Sequence, residues 1–229
     1  MQDVTDKIRR FTDEVASLAI RAGRSVESVR VMAVTKFHGP WAIEAAYAAG
    51  IRVFGESRVQ EAIEKRDFFA SDVELHLIGN LQRNKAKKAA EIFSSVDSID
   101  RLSVISVLDR YAASLAKRIE IMFEMNVSGE ESKHGFSSYD ELCEAVELAA
   151  GCTSVVPVGL MTMAPYTDDE SVIRKTFSGL REIFYRCKRD FPAFDWREIS
   201  MGMSNDYRIA IEEGSTLLRI GSLFFGDRG

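Results

Sequence analysis

Cysteine, histidine and proline are all scarce in this sequence of 229 residues. The three cysteines, Cys143, Cys152 and Cys187, are odd in number and lack CxxC spacing, which argues against a disulfide framework or a structural zinc site. Free thiols are typical of a reducing compartment, so we expect a cytoplasmic protein. The three histidines form no HExxH pair, and we expect no metal site.

Long apolar runs and an excess of positive charge are also missing. No stretch approaches the roughly 18 apolar residues of a membrane span, and the first residues lack the pattern of a signal peptide. The net charge of −5, from 30 basic and 35 acidic residues, disfavours a nucleic-acid binder. Four prolines and no low-complexity segment indicate no linker, so we expect one domain over residues 1–229.

Short β-branched segments alternate with segments of helical periodicity along the whole chain. We predict an N-terminal helix that ends near Gly23, and caps of later helices at Ser138 with Glu141 and at Thr167 with Glu170. The predicted strands are Val31–Thr35, Ile51–Phe54, Leu75–Ile78, Ser95–Ile99, Ile119–Val127, Val155–Leu160, Trp196–Ile199 and Leu217–Ile220.

Eight strands that alternate with helices predict parallel pairing and closure into a single (β/α)8, or TIM, barrel. No full eighth helix fits after the last strand, and we expect the extra N-terminal helix to cover that flank. An open doubly wound α/β sheet is the alternative, but it normally carries a GxGxxG turn, which is absent.

Lys36 stands at the end of the first predicted strand, and active sites of such barrels lie at the carboxyl ends of the strands. Partial desolvation there would lower its pKa and favour the neutral amine, which forms a Schiff base with an aldehyde. A solvated lysine at a strand end is the alternative, and position alone favours it.

Glycine and serine follow the seventh and eighth strands, where such barrels usually bind phosphate. The first set is Ser200, Met201, Gly202, Met203 and Ser204, and the second is Gly221 and Ser222. Backbone N–H groups and hydroxyls in such loops are suited to an anion. Ordinary helix capping and a tight turn are the alternative.

Arg219 precedes Gly221 by two residues, so the strand pleat directs its side chain toward the barrel interior. A buried arginine needs a partner. The ring nitrogen of pyridoxal 5′-phosphate (PLP) is one candidate, and an ion pair with Glu56 or Glu124 is the other.

Three further residues stand near strand ends and are candidates to line the same pocket. His76 and Asn80 flank the third strand, and Met161 follows the sixth. For His76, an interior histidine with satisfied hydrogen bonds is the favoured alternative.

Seven segments, in order along the chain, together resemble the pyridoxal phosphate homeostasis proteins, also called PROSC-like proteins. They are 33–36, 54–61, 76–85, 133–136, 159–165, 200–204 and 219–221. The resemblance implies an alanine-racemase-type barrel with PLP bound to Lys36 as a Schiff base. It further implies that Ser200, Gly221 and Ser222 surround the phosphate and that Arg219 faces the pyridine nitrogen. The sequence departs from the family at 57–58, where Ser-Arg replaces the usual Asn-Tyr.

The resemblance implies a protein that buffers or delivers PLP to acceptor apo-enzymes and affects amino-acid and keto-acid balance. A racemase or decarboxylase on the same barrel is the rival, but such enzymes carry a second, β-rich domain and a partner subunit. The sequence ends at Gly229, just after the predicted barrel, and no tyrosine or cysteine is placed as a second base opposite Lys36. We therefore expect a non-catalytic, monomeric carrier. A PLP-independent sugar-phosphate enzyme is the remaining alternative.

Overall fold

The computed structural model describes residues 2–130 and 134–226, so Lys133 of the fourth family segment lies outside the described residues. Eight parallel strands follow one another around a closed barrel, and β8 pairs with β1. The strands are β1 Arg30–Val34, β2 Val53–Glu56, β3 Glu74–Leu77, β4 Ser95–Ile99, β5 Ile119–Glu124, β6 Val155–Met161, β7 Glu198–Ser200 and β8 Leu217–Ile220. The predicted (β/α)8 barrel is confirmed.

The α-helices of the described residues surround this barrel. They are α1 Gln2–Arg21, α2 Pro40–Ala48, α3 Val59–Lys65, α4 Ala86–Ile92, α5 Leu102–Ser114, α6 Tyr139–Ala150, α7 Glu170–Asp190, α8 Tyr207–Glu212 and α9 Ser222–Phe225. Each longer helix buries one apolar stripe against the sheet, as in α7, where Phe177 and Leu180 are fully buried. None of the described helices has the length and apolarity needed to cross a bilayer.

One predicted helix cap is confirmed and another is wrong. Ser138 caps α6, because its hydroxyl accepts a hydrogen bond from the Glu141 N–H at 3.2 Å. At α7 the cap is Asp169, whose carboxylate accepts from the Ser171 N–H at 2.9 Å. Thr167 instead accepts from the Asp169 N–H within the preceding loop. Both side chains suit the capping role, and the loop geometry selects the aspartate.

The N-terminal helix covers the flank between the last and first units of the barrel, as expected. Its Thr5 hydroxyl donates to the Ala45 carbonyl of α2 at 3.2 Å. On the other side, the Phe11 ring packs against Tyr207 of α8 and Phe224 of α9, with centroid distances of 4.9 and 5.2 Å. Helix α1 therefore takes the place of a longer eighth helix, since α9 has only one turn.

The barrel interior contains both an apolar cluster and buried charged groups. The apolar cluster consists of Met32, Val34, Val53, Met122, Val158, Met161 and Leu217. At the amino ends of the strands, Arg30 donates to Glu74 at 2.9 Å and to Glu198 at 2.7 Å. These charges therefore pair with one another at the amino ends of the strands, where they line a cavity of their own.

Gly159 allows β6 and β7 to approach closely, and we predict that Gly159→Ala destabilises the barrel. An added Cβ would lie 2.1 Å from the Glu198 carbonyl oxygen of the neighbouring strand. Such overpacking costs about 1–3 kcal/mol of unfolding free energy. Urea denaturation measures it, with Gly151→Ala as control because its added Cβ comes no nearer than 3.5 Å to its neighbours. Equal midpoints for the two variants would contradict the prediction.

Candidate functional site

A cavity of about 580 Å³ opens at the carboxyl ends of the strands. Loops after β1, β6, β7 and β8 form its walls, and the volume is in the range of ligand pockets. Its lining residues include Lys36, Met161, Met163, Tyr166, Met203, Ser204, Asn205, Asp206, Arg219, Gly221, Ser222 and Gly226. Seven of the residues that the sequence proposed for the site therefore meet here: Lys36, Met161, Met203, Ser204, Arg219, Gly221 and Ser222.

Lys36 lies half-buried in a tight turn that directly follows β1. The turn is closed by the His38 N–H, which donates to the Thr35 carbonyl at 3.1 Å. Val34 and Ile78 supply apolar cavity wall on the same side. Lys36 therefore lines the cavity together with apolar side chains.

Arg219 is buried, with 5% of its surface exposed, and lines the cavity from β8. Its guanidinium donates to the Ser200 hydroxyl at 2.7 Å and to the Thr162 carbonyl at 2.8 Å. Burial lowers the pKa of Arg219, and the charges of Asp206, Asp97 and Glu124 act in the opposite direction. Both groups that accept these hydrogen bonds are neutral. Glu124, the alternative partner, acts on Arg219 through its charge, without a hydrogen bond among the described contacts.

Of the predicted residues after β7, Met203 and Ser204 line the cavity, while Ser200, Met201 and Gly202 do not. Ser200 is buried against Arg219, Met201 packs in the hydrophobic core, and Gly202 turns the chain with φ of +94°. The next four residues, 203–206, line the cavity instead. Ser204 joins this loop to the last one, because its hydroxyl accepts from the Leu223 N–H at 3.2 Å.

Asp206 is a cavity residue that the sequence reasoning missed. Its carboxylate accepts from the Met203 N–H at 2.6 Å and so holds the loop after β7 in shape. Burial raises its pKa above the ordinary aspartate value, against the opposing effects of that hydrogen bond and of Arg219. Asp206 directly precedes α8 but makes no capping hydrogen bond to it, so the capping preference of aspartate does not account for its position.

The segment after β6 supplies another part of the wall that the sequence reasoning left out. Met163 and Tyr166 line the cavity from the β6–α7 loop, and Tyr166 is 97% exposed. A loop residue of this kind has no periodicity that reveals it in the sequence.

His76 and Asn80 are not brought to this cavity. The His76 ring is buried inside the barrel, with Nδ1 2.8 Å from Asp97 Oδ2 and Nε2 3.5 Å from Glu74 Oε2. It lines a separate cavity of about 730 Å³ at the amino ends of the strands. The Asn80 amide donates to the Asp100 carboxylate at 2.7 Å. His76 thus matches the alternative of an interior histidine with satisfied hydrogen bonds.

The buried His76 predicts a pH dependence of stability. Burial disfavours the charged ring, but the charge and hydrogen bonds of Asp97 and Glu74 outweigh it and raise the pKa to about 9. Because this exceeds the unfolded value near 6.5, the contribution is full below pH ~6.5 and is lost as pH rises through about 9. The loss is on the order of 3 kcal/mol.

Urea denaturation between pH 6 and 10 tests this contribution. His76→Gln is expected to flatten the fall in unfolding free energy, while His134→Gln, at an exposed ring, leaves the slope unchanged. Parallel slopes for His76→Gln and the unaltered protein would refute the raised pKa.

The sequence matches the family model of the alanine racemase N-terminal domain over residues 9–229. It is 34% identical over 224 residues to the pyridoxal phosphate homeostasis protein of Aquifex aeolicus, covering 97% of each chain.

Solved structures extend the comparison. The structure of PipY from Synechococcus elongatus with PLP bound is 35% identical, with a TM-score of 0.80, and covers 87% of this chain and 93% of that one. Alanine racemase from Bacillus anthracis has a TM-score of 0.79 at 14% identity, and the match covers 99% of this chain but 56% of that one. The second likeness shows a shared barrel fold alone.

Proposed function

The chain belongs to the pyridoxal phosphate homeostasis protein family, and from this membership we propose that it binds PLP on Lys36 as a Schiff base. Its role is intracellular PLP homeostasis, by buffering or by delivery to acceptor apo-enzymes, with indirect effects on amino-acid and keto-acid balance. The observation that carries the proposal is the meeting of Lys36, Arg219 and the loops after β7 and β8 in one cavity.

The cavity fits PLP by the chemistry of its donors. PLP supplies an aldehyde, with which a neutral primary amine forms a C=N bond with release of water. Lys36 lines the cavity and is half-buried. This position presents its primary amine, rather than water, to a ligand in the cavity. Val34, Ile78 and Met161 supply apolar surface for a ring.

The loops after β7 and β8 suit the phosphate. A phosphomonoester carries about −1.5 to −2 charges near neutral pH and needs several donors. The Ser204 hydroxyl accepts from the Leu223 N–H, so its own proton remains for donation toward a ligand. Gly221 brings backbone to the cavity surface without a side chain, and Ser222 is exposed beside it. In this assignment Ser200, Met201 and Gly202 act indirectly, by supporting Arg219 and shaping the loop.

Arg219 suits the ring nitrogen and argues for a non-catalytic role. A guanidinium has five N–H donors and no acceptor, and Ser200 and Thr162 occupy two of its nitrogens. A group that only donates favours an unprotonated ring nitrogen, and this weakens PLP as an electron sink. We therefore propose a carrier rather than a racemase.

Addition of PLP to the purified protein is expected to give a visible absorbance band that Lys36→Ala abolishes. Borohydride adds hydride to the carbon of the C=N bond, the nitrogen takes a proton, and the stable secondary amine marks the lysine for peptide mapping. Lys85→Ala, at an exposed lysine outside the cavity, is the control and retains the band. Label on another lysine would overturn the assignment, and no chromophore at all would favour the sugar-phosphate alternative.

The PLP-loaded protein is expected to racemise alanine and other amino acids no faster than free PLP does, so that their enantiomeric excess falls at the same rate in both samples. Chiral chromatography over several hours, with an equal concentration of free PLP as control, measures this. Steady, Lys36-dependent turnover would replace the carrier with the racemase-like enzyme.

A further inference from the structure

A buried ion cluster lies between the barrel wall and α3, behind the turn that carries Lys36. At its centre, the Lys65 ammonium lies 3.0 Å from Glu56 Oε1 and 2.6 Å from Glu61 Oε1. The side chains of Lys65 and Glu56 are almost completely buried, and Glu61 is largely buried. Nothing in the proposed binding of PLP uses these three side chains directly.

The cluster holds the backbone on both sides of Lys36. Lys65 donates to the carbonyl of Thr35 at 2.8 Å, and the N–H of Phe37 donates to Glu61 Oε1 at 2.5 Å. The Thr35 hydroxyl also donates to Glu56 Oε1 at 2.7 Å. The residue before Lys36 and the residue after it are thus fixed by the same group of charges.

The turn needs to be held because its backbone is strained. Phe37 has φ of +67°, in the left-handed region where glycine is the usual residue. Such a conformation persists only where its surroundings over-determine it. The Glu61 contact at the Phe37 N–H and the Arg58 guanidinium, 5.4 Å from the centroid of the Phe37 ring, both act at the strained residue.

Stability alone is a weak explanation for the cluster. Burial of three charges carries a desolvation cost that well-packed apolar side chains avoid. Glu56 Oε2 has no hydrogen-bonding partner among the described residues, so the burial is incompletely compensated. A cluster that is costly, and whose backbone contacts bracket one lysine, is better explained by the position it gives that lysine.

We propose that Glu61, together with Lys65 and Glu56, positions Lys36 for reaction with PLP by locking the strained turn between Thr35 and His38. This inference rests on the proposed function, and it adds positioning residues that do not touch the ligand.

The test compares three substitutions on α3. Glu61→Ala removes the acceptor of the Phe37 N–H, Glu61→Gln keeps an amide oxygen as acceptor, and Glu64→Ala removes the same charge at an exposed position of the same helix. Two measurements are made on each protein: the affinity and rate of PLP binding from the visible band, and amide hydrogen exchange of the peptide containing residues 35–38 in the PLP-free protein.

Glu61→Ala is expected to weaken PLP binding about tenfold. The strained conformation at Phe37 loses the contact that holds it, and backbone strain of this kind typically has an energy that corresponds to such a factor. Glu61→Ala is also expected to speed exchange in the 35–38 peptide, while exchange in the β5 and β6 strands stays unchanged. Glu61→Gln restores most of both properties, and Glu64→Ala resembles the unaltered protein.

The outcomes separate this inference from the proposed function. If the unaltered protein binds PLP on Lys36 and Glu61→Ala binds it equally well with unchanged exchange, the positioning role is wrong and the function stands. If the unaltered protein forms no PLP adduct, the proposed function fails, and unchanged exchange in Glu61→Ala would then also refute the locked turn. General loss of protection in Glu61→Ala, with no recovery in Glu61→Gln, would assign the cluster to stability and overturn the inference.

Discussion

Pairing of β8 with β1 is the constraint on which the site depends. The register places Met32 beside Arg219 and Ala33 beside Ile220, so the sheet closes and both carboxyl ends reach the same rim. Lys36 and Gly221 are thereby brought to one cavity although they are far apart in the chain. At the rim, a Cβ on Gly221 would lie 3.3 Å from the Val34 carbonyl oxygen, so glycine allows the last loop to approach β1. Closure therefore sets the separation of the amine and the proposed phosphate-binding loops.

The interior charges depend on the same closure, because a closed barrel directs alternate side chains of every strand inward. The Arg30, Glu74 and Glu198 layer pairs its charges at the amino ends. Higher in the barrel, Arg219 is buried with neutral hydrogen-bonding partners and with Asp97, Glu124 and Asp206 acting on it as charges. The charges at the amino ends are therefore paired with one another, while Arg219, a cation with further N–H donors, lines the cavity at the carboxyl ends.

Much of the fold and part of the site could be predicted from the sequence. Alternating strand and helix patterns identify the barrel, and strand ends identify Lys36 and Gly221, because both signals are local. The depth at which a side chain lies in the barrel, by contrast, is not encoded in the local sequence. His76 lies within β3 and Ile78 directly follows the strand; two residues correspond to about 6.6 Å along a strand, and of these two only Ile78 reaches the cavity. The cluster around Lys65 was invisible for the same reason, since its contacts join three separate segments.

The ion cluster and Arg219 support the proposed carrier role in two different ways. The cluster fixes the backbone of Lys36 through Thr35 and Phe37, which favours one position of the amine. In the proposed complex, Arg219 would offer the ring nitrogen donors without an acceptor, which would oppose protonation of that nitrogen and hence withdrawal of electrons from a bound amino acid. A fixed amine would favour formation of the C=N bond, and an unprotonated ring would limit any further reaction of the adduct. Firm but reversible attachment without turnover is the behaviour that a PLP carrier requires.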